Sequence, residues 1–265
     1  MSFRIVIPAR HAAVRLPGKP LADVGGRPLI EHVFRRACET GAGQVVIATD
    51  DERIAEAARG FGAEVCLTGT HHRNGTERIG EVVRLLGWPE EAVVVNLQGD
   101  EPLMPPGCLR EVAALLAADP HAAVATLATP VATADELFDP HVVKVVRDAA
   151  GRALYFSRAP VPWHRDAFAG GARALPRGAA ECLRHIGLYA YRAGFLARYA
   201  ELAPSPLEEA EALEQLRVLW HGHDIAVGLA EEVPPPGVDT EADLERVRAL
   251  LHAEDRGQKP EDGAV

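Results

Sequence analysis

The feature that most constrains this chain is a rhythm of short apolar runs, each followed by a longer amphipathic segment. Ala92 to Gln98, "AVVVNLQ", is apolar at nearly every position. A strand with one wet face alternates apolar and polar residues, so such a run belongs to a strand covered on both faces, as in parallel sheets. Phe3 to Ile7, "QVVIAT" (44–49), "EVCL" (64–67) and "AAVATLAT" (122–129) share this character. Helical patterns separate them: "PLIEHVFRRACET" (28–40), "DERIAEAARGFG" (51–62), "TERIGEVVRLLG" (76–87) with Thr76 as candidate cap, and "PGCLREVAALLAA" (106–118). The alternation predicts an α/β fold: a mostly parallel, doubly wound sheet with helices on both faces.

The rhythm changes after about residue 130. "HVVKVVRDAAGRALYFSR" (141–158) reads as two strands around an Asp-Ala-Ala-Gly turn, and "CLRHIGLYAYR" (182–192) as a further strand. Residues 164–181 are rich in Gly, Ala and Arg and read as a mobile loop. Helical patterns return at 193–201 and 207–221, then a strand near 225–230. The last helix, "VDTEADLERVRALL" (238–251), takes Asp239 or Thr240 as its cap. The expectation is one α/β domain over 1–252. Its antiparallel excursion, about 131–192, forms a smaller lobe that covers the site or builds a subunit interface. A polar, frayed tail is expected at 253–265.

A chain of 265 residues buries a core without a metal or disulfide staple. Its four cysteines are dispersed with no C-x-x-C, which argues against a zinc site or disulfide framework and fits a reducing compartment. With no secretory leader pattern and no membrane-length apolar run, the expected location is the cytoplasm, with no membrane partner. A net charge of −10 argues against nucleic acid as a partner. The first twenty residues oppose that charge: they hold Arg4, Arg10, Arg15 and Lys19 and no acid.

In open α/β sheets ligands bind beyond the carboxyl ends of the strands. Three segments fall there. The first is the loop from Pro8 to Lys19. It is not a Walker A loop, because Pro20 follows Gly18-Lys19 and the spaced first Gly is missing; there is no G-x-G-x-x-G either. What remains is two guanidiniums and an ammonium, suited to phosphate oxygens, or a solvated basic turn. The second is "NLQGDEP" (96–102). A carboxylate such as Asp100 at a strand end, beside phosphates, holds Mg²⁺; an acidic turn is the other reading. The third is "PPPGVDTEADL" (234–244). Locally Asp239 reads as a helix cap, and it becomes a metal ligand only if the fold sets it opposite Asp100.

Weaker candidates lie elsewhere. "HHRNGTERI" (71–79) offers the turn Asn74-Gly75 before a helix start, while its adjacent histidines point apart. His221 and His223 invite the same caution. His185 and Tyr189 share a strand face by period two, where a packed face is the default. Arg158 and Arg184 have the charge to meet an acidic substrate.

Together, "IPARHAAVRLPGKPL" (7–21), "HHRNGTERI", "NLQGDEP", "RHIGLYAYR", "SPLEEAEALEQLRVLWHG" and "GVDTEADLERV" resemble the 3-deoxy-manno-octulosonate (Kdo) cytidylyltransferases in order and spacing, over roughly residues 2–250. The ending "RLPGKPL" favours this branch over the sialic-acid cytidylyltransferases, which share a related opening. The resemblance implies a nucleotide-diphospho-sugar transferase-like fold and the reaction CTP + Kdo → CMP-Kdo + pyrophosphate, with Mg²⁺, for lipopolysaccharide biosynthesis. By the same resemblance Arg10, Arg15 and Lys19 hold the triphosphate. Asn74, Gly75, Thr76, Arg78, Pro8, Ala9 and Gln98 surround the nucleotide. Asp100 and Asp239 bind Mg²⁺, and Arg158, His185, Tyr189, Glu214 and Gln215 line the sugar-acid pocket. It also implies a homodimer joined through the excursion. Two other readings stay open: a cytidylyltransferase for another acidic sugar (an 8-amino Kdo analogue or a sialic-acid relative), and an inactive nucleotide-binding regulator on the same scaffold.

Overall fold

The computed structural model describes residues 2–11, 16–171, 173, 175 and 182–257, with side chains through residue 252. Strand β1 (Arg4–Ala9) leads through a 3₁₀ turn (Lys19–Leu21) to a small hairpin, β2 (Asp23–Val24) and β3 (Arg27–Pro28). Then follow α1 (Leu29–Cys38), β4 (Gln44–Thr49), α2 (Glu52–Gly60), β5 (Glu64–Leu67), α3 (Gly75–Leu86), β6 (Val93–Asn96), α4 (Pro106–Ala118) and β7 (Val124–Pro130). The second half contains α5 (Ala134–Phe138), β8 (Lys144–Arg147), β9 (Ala153–Ser157), β10 (Leu183–Arg192), α6 (Ala193–Tyr199), α7 (Pro206–Glu211), α8 (Gln215–Trp220), β11 (Ile225–Leu229) and α9 (Glu241–Gly257).

The main sheet runs β11-β7-β10-β6-β1-β4-β5, with β8 added on β10 and β9 on β8. β6, β1, β4 and β5 are mutually parallel, and β11 is parallel to β7. β10 runs against its neighbours β6 and β7, and β8 and β9 are likewise antiparallel to the strands they join. The mostly parallel α/β sheet expected from the sequence is therefore present. The last strand of the antiparallel excursion, β10, returns to the middle of the sheet.

The apolar runs are explained by burial on both faces. Ile5, Ile7, Ile47, Val93 and Val95 pack into one layer with Val33 of α1 and Leu109 and Val112 of α4. The intervening Val6, Val46, Ala48 and Val94 pack into the opposite layer with Ile79 and Val82 of α3 and Leu196 of α6. Each fully buried aliphatic side chain contributes about 1.5–3 kcal/mol. Helices α3 and α6 approach so closely that a Cβ on Gly80 would lie 2.6 Å from the Leu196 carbonyl oxygen.

Two helix ends depart from the sequence reading. The cap of α3 is Asn74, whose Oδ1 accepts the Glu77 N–H at 2.9 Å, which leaves Thr76 inside the first turn. The helix expected over 207–221 is broken into α7 and α8. Ala212 adopts a left-handed φ of 50° at the break. Such a conformation is unfavourable for a residue with a Cβ. The break brings Ala212–Glu214 beside Asn96 of β6 and Tyr189 of β10, strands in the middle of the sheet. Ser205 and Glu208 form a reciprocal capping box at the start of α7.

In the antiparallel region, Lys144 is fully buried, and its ammonium donates to the carbonyls of Asp139 at 2.8 Å, Arg158 at 2.7 Å and Val142. The β8–β9 connection is the expected Asp-Ala-Ala-Gly turn: Asp148 Oδ1 accepts from the N–H groups of Ala150 and Arg152, and Gly151 has φ 80°.

Candidate active site

The sheet has its switch point at β1, because the chain proceeds from β1 to β4 on one side and later returns to place β6 on the other. The loops after β1 and β6 diverge there and leave a crevice at the carboxyl ends. Pro8 and Ala9 end β1. Gly99 follows β6 so closely that a Cβ on it would lie 2.9 Å from the Pro8 carbonyl oxygen, and one on Gly75 would lie 3.3 Å from the Pro8 ring. Both glycines let the nucleotide-loop candidates crowd the end of β1.

Lys19 stands at the head of this crevice. Gly18, at φ 74°, starts the 3₁₀ turn that aims it. Its Nζ lies 2.7 Å from Asp100 Oδ2, 2.7 Å from the Val238 carbonyl oxygen and 3.5 Å from Asp239 Oδ1. The helix-cap role open to Asp239 is taken by its neighbour. Thr240 Oγ1 accepts the Asp243 N–H, so Thr240 caps α9 and Asp239 is turned toward Lys19. The Val238 N–H donates to the Asp100 carbonyl at 2.8 Å, which ties the two acidic loops together. Behind them, burial first and Asp100 second push the Glu101 carboxyl up to about 8. A group so placed holds its proton and adds little negative charge beside Asp100.

Next to this centre is a pocket of about 260 Å³ whose lining includes Thr76, Asn96, Gln98, Tyr189, Glu214 and Gln215. Tyr189 pairs with Asn96 across β10 and β6, so the antiparallel strand brings its tyrosines to the carboxyl end of β6. The rings of Tyr189 and Tyr191 stack at 5.8 Å, and His185 lies 5.3 Å from Tyr189. Strand β10 bulges between Ile186 and Tyr189, and Thr126 stitches the bulge: its Oγ1 lies 2.7 Å from the Leu188 carbonyl and 3.0 Å from His185 Nε2. Burial pushes His185 down to about 3 and raises both phenols, so imidazole and tyrosines are neutral at physiological pH. The Glu214 carboxyl is also raised, by burial foremost and by Glu208, against the pull of Arg217 and Arg10.

The structure groups the sequence candidates unevenly. Lys19, Asp100 and Asp239 meet on one cation. Thr76, Gln98, Tyr189, Glu214 and Gln215 meet in the pocket, and His185 packs behind Tyr189. Arg10 donates to the Arg73 carbonyl at 3.2 Å, while its buried Nη2 has no partner among the described residues. Arg78 is fully buried and bound to Asp50 at 2.9 Å and to Thr68. Arg158 spends its guanidinium on the carbonyls of Glu211, Pro140 and Ala212. Arg184 pairs with Glu136 at 3.2 Å. Arg15 and most of the 172–181 segment lie outside the described residues.

Asn96, Tyr191 and Tyr199 also line the pocket, and the sequence patterns do not single them out. Tyr191 is the one with a usable signal, since it lies two residues beyond Tyr189 on the same strand face. Tyr199 has no such signal, because it comes from the end of α6.

A doubly wound sheet with a Lys–carboxylate centre beside a polar pocket at its switch point has the layout of a nucleotide-using transferase, and the comparisons with known proteins give that class. The chain belongs to the cytidylyltransferase family, whose model matches residues 4–225. It is 60% identical to the 3-deoxy-manno-octulosonate cytidylyltransferase of Halorhodospira halophila over 95% of this chain and 98% of that protein. With the enzyme of the same name from Pasteurella multocida the identity is 54%, over 94% and 98%. A solved structure of CMP:2-keto-3-deoxy-manno-octonic acid synthetase complexed with CTP is similar at a TM-score of 0.83 and 42% identity, covering 96% of this chain and all of that one. Among the described residues no helix is long and apolar enough to cross a membrane.

Proposed function

We propose that this protein transfers the cytidylyl group of CTP to the anomeric hydroxyl of Kdo, giving CMP-Kdo and pyrophosphate for lipopolysaccharide assembly. The observation that carries the reaction is 60% identity, over nearly the whole chain, to a protein named for it. The site supports the division of labour. Lys19, with Arg10, receives the triphosphate, and the family resemblance adds Arg15 to them. Pro8, Ala9, Asn74, Gly75, Thr76 and Gln98 hold the nucleoside, with Arg78 bracing their loop from behind. Tyr189, Glu214 and Gln215 orient the sugar acid, with His185 supporting Tyr189 and Arg158 fixing the Glu211–Ala212 corner.

Attack on phosphorus is limited by charge repulsion and by alignment, so positioned cations supply most of the catalysis. The tyrosines of the pocket suit this chemistry, because burial keeps them neutral and they offer hydrogen bonds to an anionic sugar without adding negative charge. Asp100 and Asp239 would hold Mg²⁺. Two carboxylates and a carbonyl already converge on the Lys19 ammonium, a hard-oxygen set of the kind that Mg²⁺ takes alongside water and phosphate. When bound, the ion offsets phosphate charge and lowers the pKa of the attacking hydroxyl. We place the protein in the cytoplasm as a homodimer joined through the β8–β9 region, where Leu154 and Trp163 are exposed.

The test mixes the purified protein with CTP, Mg²⁺ and Kdo and measures pyrophosphate. Release that depends on Kdo supports the reading. Release only with the 8-amino analogue or sialic acid reassigns the sugar, and CTP binding without release from any of them makes the protein a nucleotide-binding regulator.

A further inference from the structure

Between the nucleotide turn and the sugar pocket runs a chain of buried charges that neither set of substrate contacts uses. Its centre is Arg217 on α8, only 3% exposed. Nε of Arg217 donates to Glu208 Oε2 at 2.7 Å, and Nη2 donates to Glu208 Oε1. Glu208 is the capping-box residue of α7, so this fork clamps α7 to α8 across the left-handed break at Ala212. The third nitrogen, Nη1, is buried with no hydrogen-bond partner among the described residues and lies 3.9 Å from Glu77 Oε1. Glu77 sits in the first turn of α3. Its N–H is held by the Asn74 cap, and its carboxylate takes the Arg73 N–H at 2.9 Å and Arg73 Nε at 3.0 Å. The guanidinium also lies 5.0 Å over the ring of Tyr199, which lines the pocket.

We propose that Arg217 is a positioning residue for the transfer reaction: by spanning Glu208 and Glu77 it fixes Glu214 and Gln215 against the turn Asn74–Thr76, and so sets sugar and nucleotide at reacting distance. This rests on the reading of those residues as substrate contacts. The planar fork of arginine suits the role. Two nitrogens saturate Glu208, and the third is left to face α3, an arrangement that a single ammonium does not reproduce. Buried donors without acceptors are rare, which makes the short gap from Nη1 to Glu77 an asymmetry that a small advance of α8 toward α3 removes. Arg217 itself touches neither substrate. Its contribution is geometric, and small misplacements of reacting groups are costly in rate.

Arg217→Lys and Glu77→Gln are compared with the wild type in pyrophosphate release, with CTP and Kdo varied separately, alongside thermal unfolding. Arg217→Lys keeps a cation for Glu208 but loses the fork. Its kcat is expected to fall by about tenfold or more and kcat/KM for both substrates to fall with it, as for loss of a transition-state alignment. Glu77→Gln keeps the Arg217–Glu208 pair intact and is expected to lower kcat by about threefold to tenfold, and the double variant to be no worse than Arg217→Lys alone. A purely structural role lowers the melting temperature and leaves the kinetic constants of the folded fraction unchanged. That result, or strictly additive effects of the two substitutions, overturns the proposal. If Arg217→Lys does not fold, Glu77→Gln decides alone: kcat and both KM values within about twofold of wild type reject the proposal. A wild type that releases no pyrophosphate from CTP and Kdo rejects instead the reading on which the proposal rests.

Discussion

Lys19 and Asp100 are separated by 81 residues in sequence and by 2.7 Å in space. The pair forms because β1 and β6 are parallel neighbours, so the loops that follow them leave the sheet on the same side. A cation with a side-chain exposure of 12% is thus set against a carboxylate exposed by 33%, at the place where a charged ligand would enter. Asp239 joins them from the far end of the chain.

Asp100→Asn keeps the size of the side chain and removes its charge. Turnover at saturating CTP, Kdo and Mg²⁺ is expected to fall by more than about tenfold, equivalent to about 1.4 kcal/mol of barrier. Pyrophosphate release measures it, and near-normal Mg²⁺-dependent turnover would reject Asp100 as a metal ligand.

Lys144→Met tests the antiparallel region. The ammonium serves three carbonyls, from Asp139, Val142 and Arg158, in a fully buried position. Methionine fills the volume but leaves those oxygens without their donor, and each buried orphan costs about 1–3 kcal/mol. We expect a loss of about 3 kcal/mol or more in urea unfolding; a change within about 0.5 kcal/mol, the usual size of a neutral surface substitution, contradicts this account.

Acid stability follows from His185. Burial holds its folded pKa at about 3, against 6.5 as the ordinary value. Between those values the unfolded chain binds a proton that the folded chain does not. The contribution of neutral His185 is therefore fully present above pH 6.5 and declines as the pH falls toward 3. His185→Gln removes the titration. The pH slope of its unfolding free energy should be shallower than wild type by up to about 1.4 kcal/mol per pH unit. Equal slopes in denaturant titrations between about pH 6 and about pH 4 would show that His185 is not buried neutral.

Gly80→Ala places a methyl where the Leu196 carbonyl oxygen would be 2.6 Å away. Alanine favours an isolated helix by about 1 kcal/mol. Here the steric cost of about 1–3 kcal/mol prevails, because the obstacle is backbone. Thermal unfolding is expected to show a lowered midpoint, whereas a raised one would mean that α3 and α6 are not in close contact.

Much of this architecture is legible in the sequence because the apolar runs are unambiguous. "QVVIAT", "EVCL" and "PGCLREVAALLAA" coincide with β4, β5 and α4. The break at Ala212 is not legible. "EEAEALEQL" contains no Gly or Pro, and the left-handed residue is held by tertiary contacts, among them the bond from Arg158 to the Ala212 carbonyl. The hairpin β2–β3 escapes for a different reason: two residues per strand are too few to show a period. At the site, the meeting of Asp239 with Lys19 depends on which of two adjacent residues caps α9. Either side chain is chemically able to do so, and only the three-dimensional path assigns the cap to Thr240. The central position of β10 is equally hidden, since strand order is not written in local pattern.

That position has a consequence for how the molecule comes into being. During synthesis the amino-terminal strands β1, β4, β5 and β6 emerge first and leave β6 as an open edge, while β7 has no neighbour to join. The edge stays unfilled until residues 183–192 leave the ribosome, and an uncovered strand edge invites pairing with other chains. The strand that ends this exposure also delivers Tyr189 and Tyr191. A chain interrupted before that point therefore has both an adhesive edge and an incomplete pocket, and the strand that covers the edge brings two of the pocket's tyrosines with it.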